Sequence, residues 1–156
     1  MSDLLTPAEY KAIAADLNPP AAAFIDGKFR KGSGAALPTP NPATGDLITT
    51  IAACNASDVD FAVQKARAAF DQGHWSRLHP SERKDTLIRL CKLLTRNRRE
   101  LAVMESVDSG KTIRDCETID VPETIHCIKW HAELIDKVYD QVGPTGDDAI
   151  SMIVRE

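Results

Sequence analysis

The sequence has no apolar run long enough to span a bilayer, and its first residues, MSDLLTPAEYKAIAADL, contain acidic side chains and no apolar signal-peptide core. These absences predict a cytoplasmic protein with no membrane partner. Positive charge is also not in excess, because 19 Lys and Arg stand against 23 Asp and Glu, for a net charge of −4. Nucleic-acid affinity comes mainly from clustered Lys and Arg, so no nucleic-acid partner is expected. The single basic cluster, RNRR at 96–99, is interpreted as the solvated end of a helix.

No CxxC pair is present among the four cysteines, Cys54, Cys91, Cys116 and Cys127. Sparse cysteines in a cytoplasmic chain are more often buried thiols than disulfides. Cys91 lies on the apolar stripe of a predicted helix, which favours a packed thiol over a nucleophile. Cys54 has no neighbouring base in the sequence. No catalytic residue is therefore assigned.

Cys127 and His131 are four residues apart on a predicted helix and can share one face, with His126 close by. A thiol and an imidazole at this spacing are two candidate ligands for a metal ion. Because no third ligand follows at a suitable spacing, helix packing and surface histidines are favoured over a metal site.

Two glycine-containing stretches resemble phosphate-binding motifs but lack essential parts. GSG at 32–34 has no third glycine and no helix start after it. SGKT at 109–112 has Glu105 where a P-loop has its first glycine, and it follows a predicted helix rather than a strand. Gly110 is instead predicted to end that helix, and no cofactor-binding residue is assigned.

The beginning of the chain carries short strand signals. The first twenty residues predict a short helix, ended by Pro19 and Pro20 and lying outside the compact body. Asp26 and Gly27 between apolar residues predict a β-hairpin, because a type I′ turn needs positive φ at both positions. LITTIAAC at 47–54 predicts a further strand.

Residues 57–139 predict several helices, each with one apolar face. The first has Ser57 and Asp60 at capping-box spacing, and the second begins at Pro80. The apolar stripe of the first helix comprises Val59, Ala62, Val63, Ala66, Ala69 and Phe70.

Residues 149–154 predict a strand after which no turn or partner strand follows. One-sided helices need a surface to cover, and a lone strand exposes unpaired backbone groups along both edges. The sequence therefore favours a fold whose main sheet is not within this chain, over an independent helical bundle.

The stretch NPATGDLITTIAACNASDVDFAVQKARAAFDQGHWSRLHPSER and the later LIRLCKLLTRNRRELAVMESVDSGKTI resemble the N-terminal segment of the NAD(P)-dependent aldehyde dehydrogenases. The resemblance covers the chain from about Phe24 onward. It implies an incomplete α/β fold, the N-terminal part of a nucleotide-binding domain: a β-hairpin, then helices, then the first strand of an oligomerisation arm near 150–155. The implied division is residues 1–22 as N-terminal helix and linker, 23–142 as part of the nucleotide-binding domain, and 143–156 as the start of the arm.

The resemblance also implies a chemistry: oxidation of an aldehyde to a carboxylate with NAD or NADP, in a homo-oligomer. The stretch IKWHAELIDKVYDQV is similar to enzymes that oxidise γ-glutamyl-γ-aminobutyraldehyde in putrescine catabolism. The family's nucleophilic cysteine, catalytic glutamate and cofactor-binding lysine fall beyond residue 156, so none is transferred to this chain. The alternative is a catalytically inactive truncated product that acts as an interaction module with full-length subunits.

One site implied by the resemblance falls within the chain. Many members of the family hold a structural Na⁺ or K⁺ through oxygens that match Thr39, Pro40 and Asp108 here. Hard monovalent cations suit carbonyl and carboxylate oxygens, and a backbone carbonyl ligand does not depend on the side chain, so Pro40 can serve.

Overall fold

The computed structural model describes residues 4–154. Within them the chain forms three two-stranded antiparallel sheets and a group of helices, and none of these helices is long and apolar enough to cross a membrane. The helices are α1 Pro7–Asp16, α2 Ala56–Gln72, α3 Pro80–Arg96, α4 Arg98–Ser109, the short α5 Ile113–Asp115 and α6 Val121–Leu134, with a π-helical turn at Cys116–Asp120 between α5 and α6. The strands are β1 Ala23–Ile25, β2 Lys28–Arg30, β3 Ala36–Pro40, β4 Leu47–Ala52, β5 Gln141–Gly143 and β6 Ser151–Ile153.

The first hairpin confirms the turn that was predicted at Asp26 and Gly27. Asp26 and Gly27 have φ values of 55° and 73°, and β1 pairs with β2 around them. Phe24 and Phe29 are directly opposite each other, with ring centroids 5.1 Å apart. An edge-to-face aromatic pair of this kind stabilises the register.

The sequence predicted only one strand, β4, of the β3–β4 hairpin. β4 lies within the expected 47–54 stretch, but it ends at Ala52, so Cys54 lies beyond the strand. β3 was not predicted, because its prolines at 38 and 40 cannot donate to a ladder and disfavour a strand assignment. The turn between the two strands is closed by hydrogen bonds from Asn41 N–H to the Asp46 carbonyl, and from Gly45 N–H to the Asn41 carbonyl.

The start of α2 differs from its prediction. The capping box uses Asn55 and Asp58, not Ser57 and Asp60, since the Asp58 N–H donates to the Asn55 side chain at 3.0 Å. The Asp58 carboxylate in turn accepts from the Ser33 and Asn55 backbone N–H groups, and these two hydrogen bonds lower its pKa. The helix therefore begins two residues earlier than expected.

The apolar face of α2 is largely uncovered. No residue of the helix is buried, and Val59 and Val63 are 53% and 61% exposed. Its attachment to the first hairpin is electrostatic: Lys65 Nζ lies 3.1 Å from Asp26, and the Arg30 guanidinium lies 4.3 Å from the Phe61 ring centroid.

The core lies where α4, the π-helical turn and α6 meet. Ala102 and Cys116 are fully buried beside Val121, with Leu101, Ile113 and Ile125 packed around them. α3 packs along α6, where the Cys91 thiol is buried and donates to the Ile125 carbonyl at 3.8 Å. Pro80 is at the first turn of α3 as predicted.

The N-terminal helix does not lie outside the compact body, which corrects the prediction. α1 packs on α4, and Tyr10 is buried. The Tyr10 hydroxyl donates to the Glu117 carboxylate at 2.5 Å, and that carboxylate also accepts from Arg99 Nε at 3.3 Å. Arg98 Nε is 3.9 Å from the same carboxylate. The basic cluster is therefore only partly solvated, because it neutralises a buried acid.

The terminal strand was predicted to have no partner, and this prediction is wrong. β6 pairs antiparallel with β5, with Val142 opposite Met152. The strand is also shorter than the expected 149–154 stretch, and residue 155 lies outside the described residues. The expected domain boundary after residue 142 falls inside β5.

Gly110 ends α4 as predicted, and it permits a close contact between the end of α4 and the β3–β4 turn. Its φ of 73° is in the left-handed region, and a Cβ added there would lie 2.8 Å from Pro42 Cγ. The glycine thus lets the β3–β4 turn approach the end of α4.

We expect Tyr10→Phe to lower the free energy of unfolding by about 1–3 kcal/mol, because it removes a buried hydrogen bond to a charged group. Burial, and then the hydrogen bond to Glu117, raises the pKa of Tyr10 above its usual 10.0. The wild-type advantage should therefore be full below about pH 10 and be lost as the pH rises further. Urea denaturation across pH measures both effects. Tyr139→Phe is the control, since that ring is 80% exposed; an equal loss in both variants would contradict the assignment.

Gly110→Ala and Gly45→Ala form a matched pair. Both glycines have positive φ, but a Cβ at Gly45 meets no atom within 4 Å. Strain alone should cost about 1–2 kcal/mol at each position. Gly110→Ala should cost roughly 1–3 kcal/mol more, because its Cβ displaces Pro42. If the two variants unfold at the same urea concentration, the contact with Pro42 does not add to the cost of Gly110→Ala, which would contradict the prediction.

Candidate metal centre

A groove of about 1110 Å³ runs between the β3–β4 hairpin, α4 and α6. Thr39 and Asp108, two of the three residues expected at a cation site, both line it. Pro40 follows Thr39 directly but is not among the lining residues. Two positions that are 69 residues apart in the chain therefore line the same groove, and the cation site itself stays a prediction.

The hairpin side of the site is irregular. Thr39 pairs with Thr49 and Pro40 with Leu47, so the register shifts between Thr39 and Pro40. Such a bulge disrupts the ladder of backbone hydrogen bonds and bends the strand. It lies at the two residues whose backbone oxygens are the expected ligands.

The helical side of the site is electronegative. Asp108 is in the last turn of α4, where the helix dipole is also negative, and that turn contains no basic residue. Glu105 lines the groove one turn earlier. A carboxylate at a helix C-terminus is unfavourable without a nearby cation, so this end of the groove favours positive charge.

Lys111 also lines the groove and could supply that charge, but it is paired with another carboxylate there, that of Asp120. Its ammonium is 2.7 Å from the Asp120 carboxylate. This hydrogen bond is the main cause of the raised pKa of Lys111. Lys111 therefore balances Asp120, and within residues 4–154 the Asp108 carboxylate forms no ion pair of its own.

The donor set fits a hard monovalent cation. Carbonyl and carboxylate oxygens suit Na⁺ or K⁺, whereas Zn²⁺ sites use thiolates and imidazoles. In the part of the chain from 4 to 154, no group of three or more His, Cys, Asp or Glu side chains is placed to hold a metal. A cation here would depend on backbone oxygens from β3 together with Asp108.

The cysteines divide into two pairs, and all four are free. Cys91 and Cys116 are buried, which confirms the packed thiol at Cys91, and burial raises the pKa of Cys116. Cys54 and Cys127 are exposed, against the expectation of buried thiols.

Sequence patterns missed the buried acid Glu117. The Val121 N–H donates to the Cys116 carbonyl, an i to i+5 bond, so the turn is wider than an α-helix. This widening shifts the phase of the helical pattern and lets the adjacent Cys116 and Glu117 both be buried. A search for a 3.6-residue period cannot detect it.

Comparison with known proteins places these features in a family. Residues 29–156 match the model of the aldehyde dehydrogenase family. The chain is 54% identical over 157 aligned residues to the aminoacetaldehyde dehydrogenase of Pseudomonas aeruginosa, covering all of this chain and 32% of that protein. Its fold matches an indole-3-acetaldehyde dehydrogenase of P. syringae in complex with NAD⁺, with a TM-score of 0.92 at 39% identity. It also matches a γ-glutamyl-γ-aminobutyraldehyde dehydrogenase of Burkholderia cenocepacia, with a TM-score of 0.91 at 38% identity.

The structural matches cover 96% and 95% of this chain and 30% of each of the other chains. The chain thus spans about a third of the length of the relatives that it matches, and it corresponds to their N-terminal portion. This agrees with the incomplete α/β architecture expected from the sequence. Because the family model covers most of the chain and the fold agrees throughout, the chain belongs to the aldehyde dehydrogenase family.

Proposed function

We propose that this chain is the N-terminal part of an NAD-dependent enzyme that oxidises an aldehyde to a carboxylate. The observation that carries the proposal is the match of nearly the whole chain to the N-terminal third of a dehydrogenase that binds NAD⁺. The reaction needs a thiolate nucleophile, a carboxylate base and an oxyanion-stabilising amide. Those groups belong to the rest of the enzyme, so this chain contributes scaffold and docking surface. NADP as an alternative cofactor remains part of the proposal.

The uncovered face of α2 supports the scaffold role. A 17-residue helix with an apolar stripe and no buried residue needs a covering surface. The nucleotide-binding sheet of the complete enzyme is the surface that we infer for it. The division into residues 1–22, 23–142 and 143–156 belongs to the same proposal.

The β5–β6 hairpin supports a homo-oligomer. Val142, Met152 and Ile153, on a sheet of only two strands, are each at least 62% exposed, and so is Val154, which follows β6 directly. Exposed apolar strands with open edges are surfaces on which another chain can pair. The hairpin is the start of the inferred oligomerisation arm.

The proposed substrate is an aldehyde that carries nitrogen, with γ-glutamyl-γ-aminobutyraldehyde of putrescine catabolism as the first candidate. The Burkholderia structure is of an enzyme for that aldehyde, and the 54% identical relative is named for aminoacetaldehyde. In both compounds a nitrogen atom is attached to the carbon chain that ends in the aldehyde group.

The proposed structural cation, Na⁺ or K⁺, lies between β3 and the end of α4. Thr39 and Pro40 would supply backbone oxygens and Asp108 its carboxylate. The bulge at Thr39, the electronegative helix end and the engaged Lys111 support it.

A chimera tests the activity. We expect residues 1–156, fused to the remaining two thirds of the Pseudomonas aminoacetaldehyde dehydrogenase, to reduce NAD⁺ in the presence of aminoacetaldehyde or γ-glutamyl-γ-aminobutyraldehyde. The 156-residue chain alone should show no turnover, since the catalytic groups belong to the remainder. Turnover by the isolated chain would overturn the division of roles. A folded but inactive chimera, with the chain co-purifying with the full-length relative, would instead favour an interaction module.

Cation binding is tested in the same chimera. Thermal unfolding in KCl or NaCl is compared with choline chloride at equal ionic strength, because a cation bound to the folded state raises its stability with concentration. Asp108→Asn should abolish the difference between the salts. Asp46→Asn, which removes another groove carboxylate, should retain it. Equal behaviour of the two variants would contradict the proposed ligand set.

A further inference from the structure

The ion pair between Lys111 and Asp120 lies in the same groove as the candidate cation site. Lys111, Asp120 and Asp108 all line this groove. Lys111 Nζ lies 2.7 Å from each of the two carboxylate oxygens of Asp120. Lysine has a flexible four-carbon stem, and Lys111 follows Asp108 by only three residues, so Asp108 is an alternative partner for its ammonium. The partner that Lys111 takes therefore determines which carboxylate is left for a cation.

The backbone of Lys111 is held at the end of α4. Its N–H donates to Ser109 Oγ at 3.2 Å, and its carbonyl accepts from Ser106 Oγ at 2.7 Å. These hydrogen bonds fix the position from which the side chain extends. A change of partner by Lys111 then needs a rotation of its side chain and no movement of the loop.

The π-helical turn presents Asp120 to Lys111. Glu117, in the same turn, is buried and is held by Tyr10 and Arg99. Asp120 Oδ2 is also shielded from water. A carboxylate oxygen removed from water needs a cationic partner, and the Lys111 ammonium is the cation that lies against it. Asp120 is therefore the partner that the fold favours for Lys111.

We propose that Asp120 is a positioning residue for the cation site, because it holds the Lys111 ammonium and so keeps the Asp108 carboxylate available to Na⁺ or K⁺. Within residues 4–154, Asp108 forms no ion pair. An ammonium and a monovalent cation carry the same charge, so a freed Lys111 would take the place of the ion beside Asp108. This inference rests on the cation site of the proposed function.

This role differs from a general contribution of Asp120 to the negative charge of the groove. The Lys111 ammonium neutralises the Asp120 carboxylate at direct contact, so the pair adds little net charge. If negative charge alone mattered, the other acidic residues that line the groove would act in the same way; they include Asp46, Glu105 and Glu123. Removal of Asp120 should therefore act through Lys111, and removal of Lys111 should cancel its effect.

The test uses the chimera with the remainder of the Pseudomonas relative, unfolded by heat in KCl, NaCl or choline chloride at equal ionic strength. We expect Asp120→Asn to raise the K⁺ concentration that gives half of the stabilisation at least about tenfold, since changes to groups behind a metal ligand cost that much. The double variant Asp120→Asn with Lys111→Met also removes the ammonium, and it should return this concentration to that of the wild type. Asp120→Glu keeps a carboxylate for Lys111 and should behave like the wild type.

Glu123→Gln is the matched control. It removes a carboxylate that lines the groove three residues after Asp120, but one that lies 3.7 Å from His126 rather than beside a lysine. This variant should keep the K⁺ dependence of the wild type. The double variant replaces the whole ion pair by neutral groups and leaves no buried charge, so it should fold even if Asp120→Asn alone does not.

Two results would overturn the positioning role and leave the cation site intact. One is a double variant that binds K⁺ as weakly as Asp120→Asn, because Lys111 would then not be the competitor. The other is an unchanged K⁺ dependence in Asp120→Asn while Asp108→Asn abolishes it. A wild type that responds equally to KCl, NaCl and choline chloride would instead contradict the cation site itself, and this inference with it.

Discussion

The buried carboxylate of Glu117 joins the parts of this chain that are far apart in sequence. A carboxylate removed from water is costly unless charged and hydrogen-bonded partners replace the solvent. Here Tyr10 from α1 and Arg99 from α4 both donate to it, at 2.5 and 3.3 Å. The position of α1 on α4, and the wide turn before α6, follow from meeting this requirement.

The placement of α4 then determines the geometry of the groove. Gly110 ends the helix in a left-handed conformation and lets Pro42 of the β3–β4 turn approach it. This contact brings the bulge at Thr39 to the same groove as Asp108. Lys111 is held by Asp120, which leaves the helix end electronegative. The candidate cation site is thus a consequence of two backbone irregularities, a helix stop and a bulge, rather than of a cluster of ligating side chains.

Features set by one or two residues could be predicted from the sequence. The Asp26–Gly27 turn, the start of α3 at Pro80 and the stop at Gly110 each follow from a local backbone preference. Features that depend on tertiary contacts could not be predicted in this way. β3 contains two prolines, which disfavour a strand assignment, and it forms a strand because it pairs with β4. β5 has only three residues, too few to show an alternating pattern. Glu117 was missed because its burial needs Tyr10, which lies 107 residues earlier.

For the candidate site, the resemblance to the family supplied the residues, and the fold shows that Thr39 and Asp108 line one groove. No pattern in the sequence alone would have connected the end of one helix to a strand 69 residues earlier. Cys127 and His131 are the reverse case. Their spacing predicted a shared face, but only the structure shows that the thiol is exposed and lies within 3.6 Å of the imidazole.

We infer that the chain has its own core around α4 and α6, and that the apolar face of α2 is left open for the remainder of the proposed enzyme. Hydrogen exchange measured by mass spectrometry, on the chain alone and fused to the remainder of a relative, tests this most directly. We expect the amides of α4 and α6 to be protected in both proteins, whereas those of α2 should gain protection only in the fusion. Equal protection of α2 in the isolated chain would contradict it, because the helix would then be covered without the rest of the enzyme.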